Sequence, residues 1–145
     1  MNKLEDIIAT MRDMDNELRL EFLLEYSETL PPVPDELLEE ADLESRRVHE
    51  CQTPVSLWVQ VIDGKVQIYA AVPRESPTVR GFISLLIDAF NGAPPDEVLA
   101  APMDILQRSG LAQTLGMMRM QGLSAVYRRI KQEVLQGLVS PITEE

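Results

Sequence analysis

The dipeptide Asp63-Gly64 stands between two runs that alternate apolar and polar residues, and that arrangement leaves few folds open. Before it, Val55, Leu57, Val59 and Val61 share one face, with Ser56, Trp58, Gln60 and Ile62 on the other. After it, Val66, Ile68, Ala70 and Val72 alternate with Lys65, Gln67, Tyr69 and Ala71. Period-two alternation sorts residues onto the two sides of a strand, and Asp-Gly accepts the positive backbone angles of a tight two-residue turn. An antiparallel hairpin is predicted, with an apolar face that other elements must cover.

Those other elements read as helices. Leu4, Ile7, Ile8 and Met11 recur at helical spacing, and Asn2 with Glu5 three residues later caps the start. A second helix carries Leu20, Phe22, Leu23 and Leu24 among acidic residues and runs until Leu30-Pro31-Pro32-Val33-Pro34 stops it, because proline removes a donor and restricts the residue before it. After the hairpin, Ser76-Pro77 reads as an N-cap with proline in the first turn, Val79, Phe82, Ile83, Leu86 and Phe90 form one face, and Asn91-Gly92 ends the helix. Pro94-Pro95-Asp96-Glu97 opens a short helical stretch that Pro102 interrupts, and Leu123, Val126, Tyr127, Ile130 and Val134 describe a last amphipathic helix. The order implies an α+β fold, a small antiparallel sheet of about three strands with helices packed on one face. Two strands rarely suffice alone, so Arg46 to Glu50 is assigned the third, which places Cys51 on a loop between strands. At 145 residues without internal repeats, residues 1–145 are read as a single domain.

Thirteen basic against 24 acidic residues give a net charge of −11, a field that repels phosphate backbones and anionic membranes, so neither nucleic acid nor membrane is an expected partner. No stretch reaches the roughly 18 apolar residues of a membrane span, and Met1-Asn2-Lys3-Leu4-Glu5-Asp6 does not begin like a secretion signal; a cytoplasmic location is expected. One cysteine excludes an intramolecular disulfide and a Cys-rich metal site, and the single His49 removes most other metal arrangements. Neither a P-loop nor a dinucleotide fingerprint is present. What remains is thiol chemistry at Cys51, which lies between Val48-His49-Glu50 and Gln52-Thr53-Pro54. A lone cysteine is most often a buried small hydrophobe, but this polar turn ahead of a strand suits an exposed, mobile thiol.

The segment His49-Glu50-Cys51-Gln52-Thr53-Pro54-Val55-Ser56-Leu57-Trp58 resembles the active-site stretch of the SufE family, in which Cys-Gln opens a strand. The resemblance continues through Leu24 to Leu30 with Pro31, through Thr78-Val79-Arg80-Gly81-Phe82-Ile83, and through Leu115 to Leu123, which is similar to that family's Leu-x-x-x-Arg-x-x-Gly-Leu motif. It implies a SufE/IscU-like fold and a sulfur acceptor. Cys51 would take persulfide sulfur from a SufS-type cysteine desulfurase, stimulate that enzyme, and deliver sulfur to a SufB-type scaffold for iron–sulfur cluster assembly. The chain itself would be a sulfur-transfer partner rather than an independent turnover enzyme. It would bind no cofactor, the pyridoxal phosphate belonging to the desulfurase, and a monomer is favoured over a dimer. Two positions depart from the family pattern: Gly116-Met117-Met118 replaces its usual Ser/Thr-Pro-Ser/Thr turn, and Glu50 replaces a common glycine.

A carboxylate at Glu50 is expected to raise the Cys51 pKa. The cysteine loop is expected to be partly sheltered in the free protein, which protects a persulfide, and to swing outward on docking. Arg119 is assigned to loop support or partner docking through its several donors, with Gln52 bonding the loop backbone and Gly122 serving packing or helix entry. His49 is read as an exposed residue rather than a base for Cys51, and Met117, Met118 and Met120 as core or contact surface rather than a soft-metal site. The alternative function is a SufE-like interaction module that regulates a desulfurase or scaffold without carrying sulfur.

Overall fold

A computed structural model describes residues 2–40 and 43–139. Its first helix, α1 (Lys3–Arg12), starts where predicted: Asn2 Oδ1 accepts from the Glu5 amide at 2.9 Å, and Leu4, Ile7, Ile8 and Met11 are buried. The next, α2 (Asn16–Ser27), is capped by Asp15, whose Oδ1 accepts from the Leu18 amide at 2.8 Å. Only Leu23 of its four predicted apolar residues enters the core fully; Leu20 and Leu24 stay 37% exposed, and the helix ends before the proline cluster. The other buried residue of α2 is Arg19, whose guanidinium donates to the carbonyls of Met11, Met14 and Gly110. A short α3 (Asp35–Leu38) and a 3-10 turn (Glu44–Arg46) lead to the hairpin.

Strands β1 (Ser56–Ile62) and β2 (Lys65–Ala71) pair antiparallel in the register set by the turn, Ile62 opposite Lys65, with positive φ at both Asp63 and Gly64. Leu57, Val59, Val61, Val66, Ile68 and Ala70 are buried on one face, and Trp58 is buried as well, its indole donating to Glu40 at 3.3 Å.

The expected third strand is reduced to a single bridge, Arg47 to Ser56, so among the described residues the sheet has two strands. The outer edge of β2 is taken by the chain that follows the next helix. Asn91 accepts from the Ile68 amide at 2.8 Å and donates to its carbonyl, while Val66 exchanges backbone bonds with Gly92 and Ala93. A side-chain amide here presents the same donor and acceptor as a strand residue, and so occupies that edge.

Helix α4 (Pro77–Phe90) is buried over most of its surface and packs on α2 and β2. Proline takes its first position as expected, but the Ser76 side chain makes no capping bond. Gly81 is what lets α2 come close: a Cβ there would lie 2.1 Å from the Leu23 carbonyl oxygen. Three short helices follow, α5 (Pro95–Ala100), α6 (Ile105–Arg108) and α7 (Leu111–Leu115). The last, α8 (Met117–Val139), begins six residues before the expected Leu123, directly after Gly116 at φ +83°, and lies along β1. Among the described residues, no helix is long and apolar enough to cross a membrane.

Candidate functional site

Cys51 sits at the tip of a loop whose two ends are anchored in the core. Val48 and Val55 are both fully buried, and the Val48 amide donates to the Val55 carbonyl at 2.9 Å, which closes the loop at its base. Inside it the Cys51 amide donates to the Val48 carbonyl at 3.2 Å, a turn that folds the tip back on itself. The apolar Val48 and Val55 therefore hold the ends down while the polar residues between them stay outside.

The thiol points inward and is only 5% exposed. It rests on α8 at Gly122, where a Cβ would lie 3.2 Å from Cys51 Sγ. Gly122 thus serves packing against the cysteine inside the helix and not helix entry, since α8 begins at Met117. The thiol is thus sheltered in the free protein, as expected of the loop, although the polar turn taken alone suited an exposed one.

Burial pushes the Cys51 pKa above the ordinary thiol value, because a thiolate loses hydration there, and a hydrogen bond from the Thr53 backbone opposes this in part. The direction is the one expected, but the cause is desolvation and not Glu50, whose side chain is exposed. His49 is also exposed and faces Glu44, with Nε2 at 3.3 Å from Oε1, so no base from this chain stands ready at the thiol among the described residues.

Beside the cysteine opens a cleft of about 320 Å3, walled by the loop at Glu50, Gln52 and Thr53, by the segment entering α4, and by the first turns of α8. Arg119 lines it and ties α8 to α4, Nη1 donating to Thr78 Oγ1 at 3.2 Å across 41 residues of sequence. Thr53 Oγ1 reaches Ser76 Oγ at 3.5 Å on the same side. The residues proposed from sequence, Glu50, Cys51, Gln52, Arg119 and Gly122, all line this one cleft. Gln52 lies on its wall with an exposed side chain, and among the described residues that side chain bonds none of the loop backbone.

Met117 and Met118 are 79% and 73% exposed at the start of α8, Met118 on the rim of the cleft, while Met120 packs against the core. Two of the three methionines are therefore free for contact. Sequence reasoning missed the hydroxyls of Thr53, Ser76 and Thr78, which only the fold brings together. It also missed Arg129 and Glu133, an i,i+4 pair on α8 whose spacing was visible.

The chain matches the SufE family, described as an Fe-S metabolism associated domain, over residues 5–134. It is 33% identical over 135 residues to an uncharacterized SufE-like protein of Mycobacterium tuberculosis, covering 92% of each chain. An uncharacterized SufE-like protein of Synechocystis is 27% identical over 124 residues, which cover 86% of this chain and 74% of that one. Among solved structures, the solution structure of a hypothetical protein from Thermus thermophilus superposes with a TM-score of 0.82 at 37% identity, covering 97% of this chain and 100% of the other.

Proposed function

Since this chain belongs to the SufE family, whose domain is associated with Fe-S metabolism, we propose that it is a sulfur acceptor: Cys51 takes persulfide sulfur from a cysteine desulfurase and passes it on for iron–sulfur cluster assembly. The observation that carries this reading is the placement of the only cysteine, sheltered at the tip of a polar loop that opens beside a cleft. A purely structural cysteine has no need of a loop tip over a glycine, or of a cleft at its side.

In the proposed step Cys51 loses its proton, and its thiolate attacks the outer sulfur of the partner's persulfide. The new bond joins Cys51 Sγ to that sulfur, the sulfur–sulfur bond of the donor breaks, and the partner's cysteine leaves as thiolate. Cys51 is then the persulfide, and no net oxidant is consumed. Burial raises the thiol pKa and disfavours the thiolate in the free protein, so we assign loss of the proton to the state in which the loop has moved into the partner's site, whose groups and whose pyridoxal phosphate belong to that enzyme. Transfer onward to a SufB-type scaffold repeats the exchange in the other direction. We place this work in the cytoplasm, with a monomer meeting each partner in turn.

Intact-protein mass spectrometry after incubation with a SufS-type desulfurase, pyridoxal phosphate and cysteine tests the reading. The wild-type chain is expected to gain reducible sulfur, and Cys51→Ser none. Unchanged mass beside a demonstrably persulfidated desulfurase would sink it, and stimulation of the desulfurase by Cys51→Ser would favour the non-carrier interaction module.

A further inference from the structure

Arg129 and Glu133 follow Gly122 on α8 by seven and eleven residues, so all three fall on one face of the helix, the face that runs under the cysteine segment. All three guanidinium nitrogens of Arg129 are engaged. Nη1 donates to the Arg47 carbonyl at 3.1 Å, Nη2 to the Ser45 carbonyl at 2.6 Å, and Nε to Glu133 Oε2 at 2.6 Å. The other oxygen of Glu133 accepts from Arg46 Nη1 at 3.1 Å, and the Glu133 side chain is only 14% exposed.

The segment just ahead of the cysteine loop is thus fastened to α8 by three charge-assisted bonds, with a fourth inside α8 holding Arg129 to Glu133, and such bonds are stronger than neutral ones. The tip is held far more lightly. Its polar contacts include the turn bond from Cys51 to Val48 at 3.2 Å and the long hydroxyl contact from Thr53 to Ser76 at 3.5 Å. When a segment with a firm root and a light tip opens, it opens at the tip.

We propose that Arg129, oriented by Glu133, is a positioning residue for sulfur acceptance: it pins the root of the cysteine loop to α8, so that the motion baring Cys51 is confined between Val48 and Val55 and returns the thiol to its place over Gly122. A lysine cannot substitute, because one ammonium does not span two carbonyls and a carboxylate in a fixed plane. The effect on sulfur loading rests on the acceptor function proposed above; the effect on thiol access does not.

The test compares wild type with Arg129→Gln in two assays. Alkylation of Cys51 by iodoacetamide in the free protein is expected to quicken about tenfold, the scale set by losing bonds to a charged group. Desulfurase-driven sulfur loading is expected to slow, although the thiol is more accessible. Amide exchange separates this from general loosening: Val48 and Cys51 should quicken while Val126 in the core does not. Arg129→Lys should behave like Arg129→Gln, and Arg128→Gln, an exposed neighbour, like wild type. If Arg129→Gln does not fold, Glu133→Gln keeps the carbonyl bonds, loses the orienting carboxylate, and should quicken alkylation by less. Wild-type alkylation in a folded variant overturns the proposal, as does faster alkylation with unchanged loading. A wild type that takes no sulfur at all would fail the acceptor reading and leave the alkylation result to decide the anchor.

Discussion

The thiol of Cys51 touches α8 where that helix has no side chain, and this makes Gly122 a control on access. An alanine there would put a methyl 3.2 Å from Sγ, so the cysteine, on a lightly held loop tip, is the group that gives way. Gly122→Ala should leave stability nearly unchanged or improve it, because alanine favours a helix interior by up to about 1 kcal/mol over glycine. Its alkylation by iodoacetamide should be faster than wild type; an unchanged rate would mean that the thiol has other room. The same burial makes a pH prediction. Because desolvation raises the Cys51 pKa, alkylation of the folded chain should reach half its maximal rate at a higher pH than in urea, where the thiol returns to about 8.5. A midpoint at or below the urea value would place the thiolate in a stabilising site instead of a buried one.

Among the elements, the hairpin is the least self-sufficient and is completed by its neighbours. Its covered edge depends on Asn91, which binds both the amide and the carbonyl of Ile68. Asn91→Ala leaves these two groups unpaired and is expected to cost about 1–3 kcal/mol, measured as a lower urea midpoint, and to increase light scattering as the freed edge pairs between molecules. A wild-type midpoint would show that the edge needs no such cover. The Thr78 to Ile83 motif has a comparable structural use. Arg80 donates to the carbonyls of Ser27 and Val72 at 2.9 and 2.7 Å and Gly81 admits the Leu23 carbonyl, so the motif joins α2 and α4 to the residue that follows β2. Thr78 adds the link to Arg119 that shapes the cleft.

For the molecule as a whole, one polar tie joins three helices at the surface. Asp88 on α4 accepts from Lys3 Nζ at 2.7 Å and from the Tyr26 hydroxyl at 2.8 Å, connecting α1, α2 and α4. Burial alone would raise the Asp88 pKa, but the hydrogen bonds from Lys3 and Tyr26 outweigh it and hold the carboxyl below its usual value. A depressed carboxyl pKa stabilises the fold above the unfolded pKa of about 3.9 and ceases to do so as pH falls through the folded value. Asp88→Asn should therefore lower Tm at neutral pH and lose less, or nothing, near pH 3. An equal loss at both pH values would assign the effect to packing. The net charge of −11 acts at this scale too, as a field that opposes the approach of other anions.

The hairpin, its turn and register, the Asn2 cap and the apolar face of α4 were all legible in the sequence, because each is decided by neighbours within a few residues along the chain. The family and the cluster of Glu50, Cys51, Gln52, Arg119 and Gly122 were legible through motifs, which mark positions but not contacts. Arg46 to Glu50 made only the bridge from Arg47 to Ser56 at the β1 edge, and the opposite edge, on β2, was covered by the Asn91 segment arriving from beyond α4. The burial of Cys51 depended on a glycine 71 residues away, and the bond from the Arg129 guanidinium to the Arg47 carbonyl on the approach of two segments 82 residues apart in sequence. Local backbone preference and periodicity are properties of the sequence by itself; burial, and with it the protonation and access of the thiol, belongs to the tertiary structure, because only packing removes water from an atom.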